Sequence, residues 1–253
     1  MKLIQYLDYS NNLNLKEKIK LIKEVSFDGV FIYYKDNSET EIKELLKNGL
    51  YIEAIHLQAS GCNNLWLDNE AGVDYIERAI AGIRLAAKYN IKKVVFHISS
   101  KDNPPPFNKL GLRRIEAILR ICEELGVDFA IENLRRLDYL DYIFANINSS
   151  RLKFCFDTGH ANAFTKNLET FPLEKYKKYL VCIHLNDNYG DYDSHLIPFT
   201  AGIDFLKVAK RLKEVGYNGN ITSEAIIKEV DINYLEELNK IKTALIKIRE
   251  IIR

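Results

Sequence analysis

The sequence predicts an α/β chain folded as one (β/α)8 barrel over residues 1–253. Three observations carry that expectation. Short β-branched or aromatic runs recur eight times, longer amphipathic stretches separate them, and no linker or composition break interrupts the alternation. A chain of 253 residues also has the size of one such barrel. The other arrangement open to this pattern is a doubly wound open sheet, which gives no reason for reactive side chains at so many strand ends.

In chain order the strands fall in KLIQYL (2–7), DGVFIYY (28–34), YIEAIHL (51–57), KKVVFHI (92–98), VDFAIEN (127–133), LKFCFD (152–157), YLVCIHL (179–185) and GNITSEA (219–225). Helical periodicity covers 15–25, 38–47, 73–89, 109–125, 203–215 and 233–251, with a less regular stretch at 173–179 between the sixth and seventh strands. Asn48-Gly49, Leu125-Gly126 and Val215-Gly216 supply glycine where helices should stop.

Composition narrows the function classes. Hydrophobic residues at 47% and charged residues at 28% describe a chain that folds on its own. Lys and Arg total 36 against 35 Asp and Glu, so no global positive field gathers nucleic acid. Cys62, Cys122, Cys155 and Cys182 form no CxxC pair, and two of them lie in apolar strand runs, as expected of reduced thiols. The opening MKLIQYLDYS lacks the apolar stretch of a signal peptide, and no run approaches the ~20 apolar residues of a membrane span. A cytoplasmic, membrane-free protein is expected. Abundant Lys, Glu and Ile beside a single Met is a balance found in heat-adapted, thermophilic proteins.

The strand ends carry the chemistry. In KFCFDTGHA (153–161) an alternating apolar strand runs straight into Asp157 and His160; read alone, Asp-Thr-Gly is also ordinary turn chemistry. The other strands settle the reading, because His56, His97, Glu132, Asp157, His184 and Glu224 end the third to eighth strands. His160 follows Asp157 by one turn, and His195 lies beside Asp193 in the seventh loop, so all five histidines sit on or just after strands. In a closed barrel these positions converge on the C-terminal face. Two residues before each donor stand Ala54, Val95, Ala130, Cys155, Cys182 and Thr222, all small or medium, while the intervening Ile55, Phe96, Ile131, Phe156 and Ile183 are bulky, Ser223 being the exception. Period-2 alternation therefore points the donors inward over a narrow layer. An unpaired carboxylate ending a buried strand costs several kcal/mol unless a cation compensates it. The mixed imidazole and carboxylate set suits Zn, Mn, Co or Fe(II), one to three ions, which could polarise substrate oxygens or lower the pKa of bound water toward about 7.

VVFH (94–97), AIEN (130–133), FDTGHAN (156–162), IHLNDNYGDYDSH (183–195) followed by Gly202-Ile203-Asp204, and TSEA (222–225) resemble, in that order, the xylose isomerase-like barrel superfamily. That superfamily includes sugar and sugar-phosphate isomerases and epimerases as well as endonuclease IV. The resemblance implies one divalent metal on Glu132, Asp157, His184 and Glu224, with Glu132 and Glu224 as acid and base; His160 stands with them as a candidate catalytic group. The endonuclease IV branch implies a three-zinc cluster on His56, His97, Glu132, Asp157, His160, His184, Asp193, His195 and Glu224, all of which are present. Its DNA-inserting loop features are not matched: LQASGCNNLW after His56 has no tyrosine, and LDYSNNLN is neither glycine-rich nor basic. Arg135 and Trp66 are the candidate substrate-binding residues.

The expectation is a metal-dependent isomerase or epimerase of a small sugar, sugar phosphate or cyclitol, working through an enediolate. The alternative is zinc-dependent abasic-site hydrolysis, the one reading in which nucleic acid is a partner. A third is a non-catalytic, metal-stabilised barrel that binds sugar.

Overall fold

In the computed structural model, which describes residues 1–165 and 168–253, eight strands run parallel around a barrel. They are β1 Leu3–Tyr6, β2 Gly29–Tyr33, β3 Tyr51–His56, β4 Lys93–Phe96, β5 Asp128–Glu132, β6 Leu152–Asp157, β7 Leu180–His184 and β8 Ile221–Ser223. From β1 to β7 each pairs with its sequence neighbour, and β1 also pairs with β8. The remaining seam is narrow. Leu185 N donates to Thr222 O at 2.9 Å and Glu224 N donates to Leu185 O at 3.0 Å, which closes β7 onto the three-residue β8.

Helices α1 Leu15–Val25, α2 Ser38–Lys47 and α4 Lys109–Leu125 match the expected spans. Helix α3, Glu70–Lys88, starts three residues before the expected Val73 because the Asn69 side chain accepts from Gly72 N at 2.8 Å. Helices α5 Leu137–Asn146 and α6 Thr158–Thr165 were not anticipated as elements, and the 173–179 stretch divides into α7 Leu173–Tyr176 and a 3-10 turn. Helix α8, Phe205–Glu214, begins after Asp204, whose carboxylate accepts from Leu206 N and Lys207 N. Helix α9 runs Tyr234–Ile252, capped by Asn233. Among the described residues no helix is long and apolar enough to cross a membrane.

The alternation read from the sequence sorts the strands correctly. Ala54, Val95, Ala130, Cys155 and Cys182 pack together inside the barrel, joined by Ile4 and Phe31 from the two donor-free strands. Ile55, Phe96, Ile131, Phe156 and Ile183 face the helix shell. In β3 the pattern survives through a bulge, since Val30 pairs with Ile52 but Ile32 with Ile55. At the N-terminal end of the barrel, Glu53 forms a buried ion pair with Lys93 and accepts from Asn220 Nδ2 at 2.5 Å.

The third loop is built into the wall. Trp66 is 2% exposed, its Nε1 donates to Ile98 O at 2.6 Å, and its ring lies against Gly111 of α4. Arg114 donates to the carbonyls of Asn64, Leu65 and Leu67 at 2.7 to 3.0 Å. The expectation of Trp66 as a substrate-binding residue is corrected here. Its faces are spent on packing and its one donor on a backbone carbonyl.

Candidate metal centre

Because a strand's last inward residue sits at the barrel mouth, donors from six strands meet at the C-terminal ends. His56, Glu132, Asp157 and His184 end β3, β5, β6 and β7, while His97 and Glu224 follow β4 and β8 directly. Donor atoms of Glu132, Asp157, His184 and Glu224 all lie within 4.8 Å of one another. Glu132 is shared by two further groups, one with His56 and His184 and one with His97 and His160; Asp157, His160 and Asp193 form another. His195 joins through Asp193, its Nε2 standing 2.8 Å from Asp193 Oδ2. The cluster is buried, with Glu132 and Asp157 fully inaccessible and Glu224 2% exposed.

Three imidazoles have their tautomer fixed by backbone. Nδ1 of His56, His160 and His195 lies 2.8, 3.0 and 3.1 Å from the carbonyls of Leu57, Asn133 and Glu224. A carbonyl only accepts, so each Nδ1 carries the hydrogen and each Nε2 is turned inward. There every Nε2 meets a carboxylate oxygen: His56 faces Glu132 at 3.2 Å, and His160 and His195 face Asp193 at 3.2 and 2.8 Å. Two lone pairs cannot share such a contact without a proton or a cation between them. A carbonyl behind the ring and an inward Nε2 are what a metal-ligating histidine needs, so these residues fit a divalent ion.

The protonation pattern follows from burying acidic and basic groups side by side. Burial alone would raise the Glu132 carboxyl, but the charge and hydrogen bond of His184 and the hydrogen bonds of His56 and His97 hold it well below its usual range. Burial opposes ionisation of Glu224 too, yet His184 and His195 bring it to about 2. Asp157 is pushed well up by burial, reinforced by Glu132, Glu224 and Asp193. His184 and His160 are held well above the usual imidazole range by these carboxylates despite burial, and His195 at about 9. His97, where burial dominates, is lowered.

The profile of the xylose isomerase-like TIM barrel family matches residues 19–249. The chain belongs to that family. Protein MJ1614 of Methanocaldococcus jannaschii, uncharacterized, is 27% identical over 83% of this chain and 85% of its own length. Two other relatives are matched over about half their length: MJ1311 of the same organism, also uncharacterized (30% identical over 54% of this chain and 52% of its own), and a probable endonuclease 4 of Metamycoplasma arthritidis (26%, over 50% of each). Among solved structures, a D-tagatose 3-epimerase-like protein superposes with a TM-score of 0.75 at 22% identity, covering 100% of this chain and 98% of its own. The 3-keto-D-glucoside 4-epimerase of E. coli gives 0.76 at 20%, covering 99% of each.

In this xylose isomerase-like barrel the DTGH segment is a helix start rather than a turn. Asp157 Oδ1 accepts from His160 N at 2.5 Å, and α6 begins at Thr158. The Asn133 side chain bonds both Asp157 N (2.8 Å) and Asp157 O (2.9 Å), while Asn186 Nδ2 donates to Asp157 Oδ2 at 2.9 Å. Gly159 is required by contact, since a Cβ there would run into Asn186 Oδ1. Arg135 reaches the rim: its guanidinium lies 4.0 Å over the Phe164 ring, which stacks on His160, and it pairs with Asp102 at 3.1 Å. Asn133, Asn186, Phe31 and Tyr33 went unread in the sequence. AIEN and IHLN carried a signal for the first two, a polar residue placed just beyond a strand-end donor.

Proposed function

We propose that this barrel is a divalent-metal-dependent isomerase or epimerase of a small sugar, sugar phosphate or cyclitol. The observation that carries the reading is the meeting of Glu132 and Glu224, from strands with two others between them, beside Asp157 and His184 within one 4.8 Å group. A divalent cation held by those four would draw electron density from adjacent substrate oxygens and acidify the neighbouring carbon. Glu132 and Glu224 would then act as the base and acid, one accepting the proton from that carbon and the other returning a proton to the opposite face. In this reading the backbone N–H of His160 would hold Asp157 in place, and Arg135, with Phe164 beneath it, would meet the substrate at the rim. The epimerase and the epimerase-like protein that superpose over nearly the whole chain support this choice.

The mouth supports a small substrate over duplex DNA. Several cations of the loops beyond the strands already have acidic partners: Arg136 with Asp138, Lys18 and Lys35 with Asp8. One observation favours abasic-site hydrolysis as a second reading, namely that His56, His97, His160, Asp193 and His195 extend the donor set beyond what one ion needs.

Metal analysis of freshly purified protein separates the two, with one ion per chain expected for the isomerase and three zinc ions for the nuclease. The direct assay incubates D-tagatose, D-psicose, D-fructose and L-ribulose with Mn2+-loaded protein in D2O. Deuterium at the inverted carbon supports the proposal. Incision of an abasic duplex without sugar exchange would replace it with the nuclease, and sugar binding without exchange with the non-catalytic barrel.

A further inference from the structure

Strands β1 and β2 supply no metal-type donor, so the layer where their neighbours present imidazoles and carboxylates has to be filled otherwise. In β2, Phe31 lies in the interior cluster and Tyr33, two residues on, packs against it one layer nearer the mouth. Tyr33 Oη donates to Glu224 Oε1 at 3.2 Å. Its ring stacks on His56 at 4.2 Å between centroids and 8° between planes. One side chain thus touches donors from two other strands, β3 and the end of β8.

Each contact removes one freedom. With Oε1 of Glu224 held by the phenol, its Oε2 is the oxygen left facing His184 Nδ1, at 3.4 Å. With one face of the His56 ring covered and its Nδ1 bonded to Leu57 O at 2.8 Å, rotation about the last side-chain bond is blocked and Nε2 stays on Glu132. We infer that Tyr33 is a positioning residue, which selects the ligating oxygen of Glu224 by hydrogen bonding and fixes the plane of His56 by stacking. The inference rests on the reading that these residues hold a divalent ion. A phenol has the right chemistry, because its hydroxyl donates to a carboxylate while its ring offers a flat apolar face to an imidazole.

The test separates the two contacts. Tyr33→Phe keeps the ring and deletes the hydroxyl; Tyr33→Leu deletes both. Mn2+ affinity is measured by calorimetry, and the visible d–d spectrum is recorded after Co2+ loading. Tyr33→Phe is expected to weaken Mn2+ binding about 10- to 100-fold, the usual effect of losing a ligand's hydrogen-bond partner, and to shift the Co2+ bands while the metal-free melting temperature stays within a few degrees. Tyr33→Leu should weaken it further. In a Glu224→Gln background, Tyr33→Phe should add less than about twofold, because its effect passes through that carboxylate. Wild-type affinity and an unshifted spectrum in Tyr33→Phe would overturn the inference and leave the metal reading standing. A wild-type protein that binds no Mn2+ would overturn both.

Discussion

Gly159→Ala tests whether the DTGH segment is shaped by contact or by helix propensity. The position lies in the first turn of α6 with no positive φ, so an alanine suits its backbone and, by propensity alone, should stabilise the helix by about 1 kcal/mol. Contact argues the reverse. The new Cβ would overlap Asn186 Oδ1, stand 2.7 Å from Asn186 Cγ and 2.8 Å from Asp193 Oδ1. Carbon atoms rest at about 3.5–4.0 Å, so Asn186 must retreat by roughly 1 Å. Asn186 is fully buried, and its Nδ2 bond to Asp157 Oδ2 is already 2.9 Å long. Overpacking costs about 1–3 kcal/mol and loss of a hydrogen bond to a carboxyl that burial holds up about 0.5–1.5. After the helix gain the net loss is about 0.5–3.5 kcal/mol, a fall on the order of 5 °C in melting temperature for a chain of this size. Differential scanning calorimetry of the metal-free protein reads it directly. In an Asn186→Ala background the same change should be much milder, because the obstructing amide is gone. A Gly159→Ala protein that melts at or above the wild-type temperature would refute the contact argument.

Glu224→Gln should lower kcat for whichever ketose proves active by about 10²- to 10⁴-fold, the usual contribution of a positioned acid or base, measured by steady-state assay with saturating Mn2+. Adding Zn2+ or Mn2+ at a hundredfold excess over its Kd should stabilise the EDTA-stripped protein by about 2.7 kcal/mol. That is a rise of roughly 5–10 °C in a thermal scan, and an unchanged curve would contradict the metal centre. Asp8 gives the pH test. Burial would raise its pKa, but hydrogen bonds from Lys18 and Lys35 bring it below the usual value, so its stabilising contribution is present above about pH 4 and is lost as pH falls through the folded pKa. Asp8→Asn should therefore destabilise by about 2 kcal/mol at pH 7 and progressively less in acid; a gap that does not narrow at all as pH falls below about 4 would show that it does not come from the ionised carboxylate.

The strands and the donors were legible because both follow a period of two with distinctive residue types. Eight apolar runs, six of them ending in His, Asp or Glu, leave little choice of face once the barrel closes. What escaped lay where that signal stops. Helix α6 was masked because Asp-Thr-Gly serves equally as a turn, and the distinction is made by an Asp157 carboxylate capping His160. Tyr33 and Phe31 were passed over because their strand ends in no donor, although the same alternation places them inside. Trp66 misled for a different reason. Whether a lone tryptophan in a loop faces solvent or core depends on tertiary partners, here Gly111 and the Ile98 carbonyl, that no local pattern announces.

The narrow seam between β7 and β8 gives the donors another meaning. His184 and Glu224 stand on either side of it, and two backbone hydrogen bonds, through Leu185 and Glu224, are what join the first-to-last circuit there. A cation gripped by both would work as a buckle on a belt, fastening the ring where it is weakest. Stripping the ion should then loosen the girdle at one place, with the Leu185 and Glu224 amides the first to exchange with deuterium while β3 to β6 stay protected.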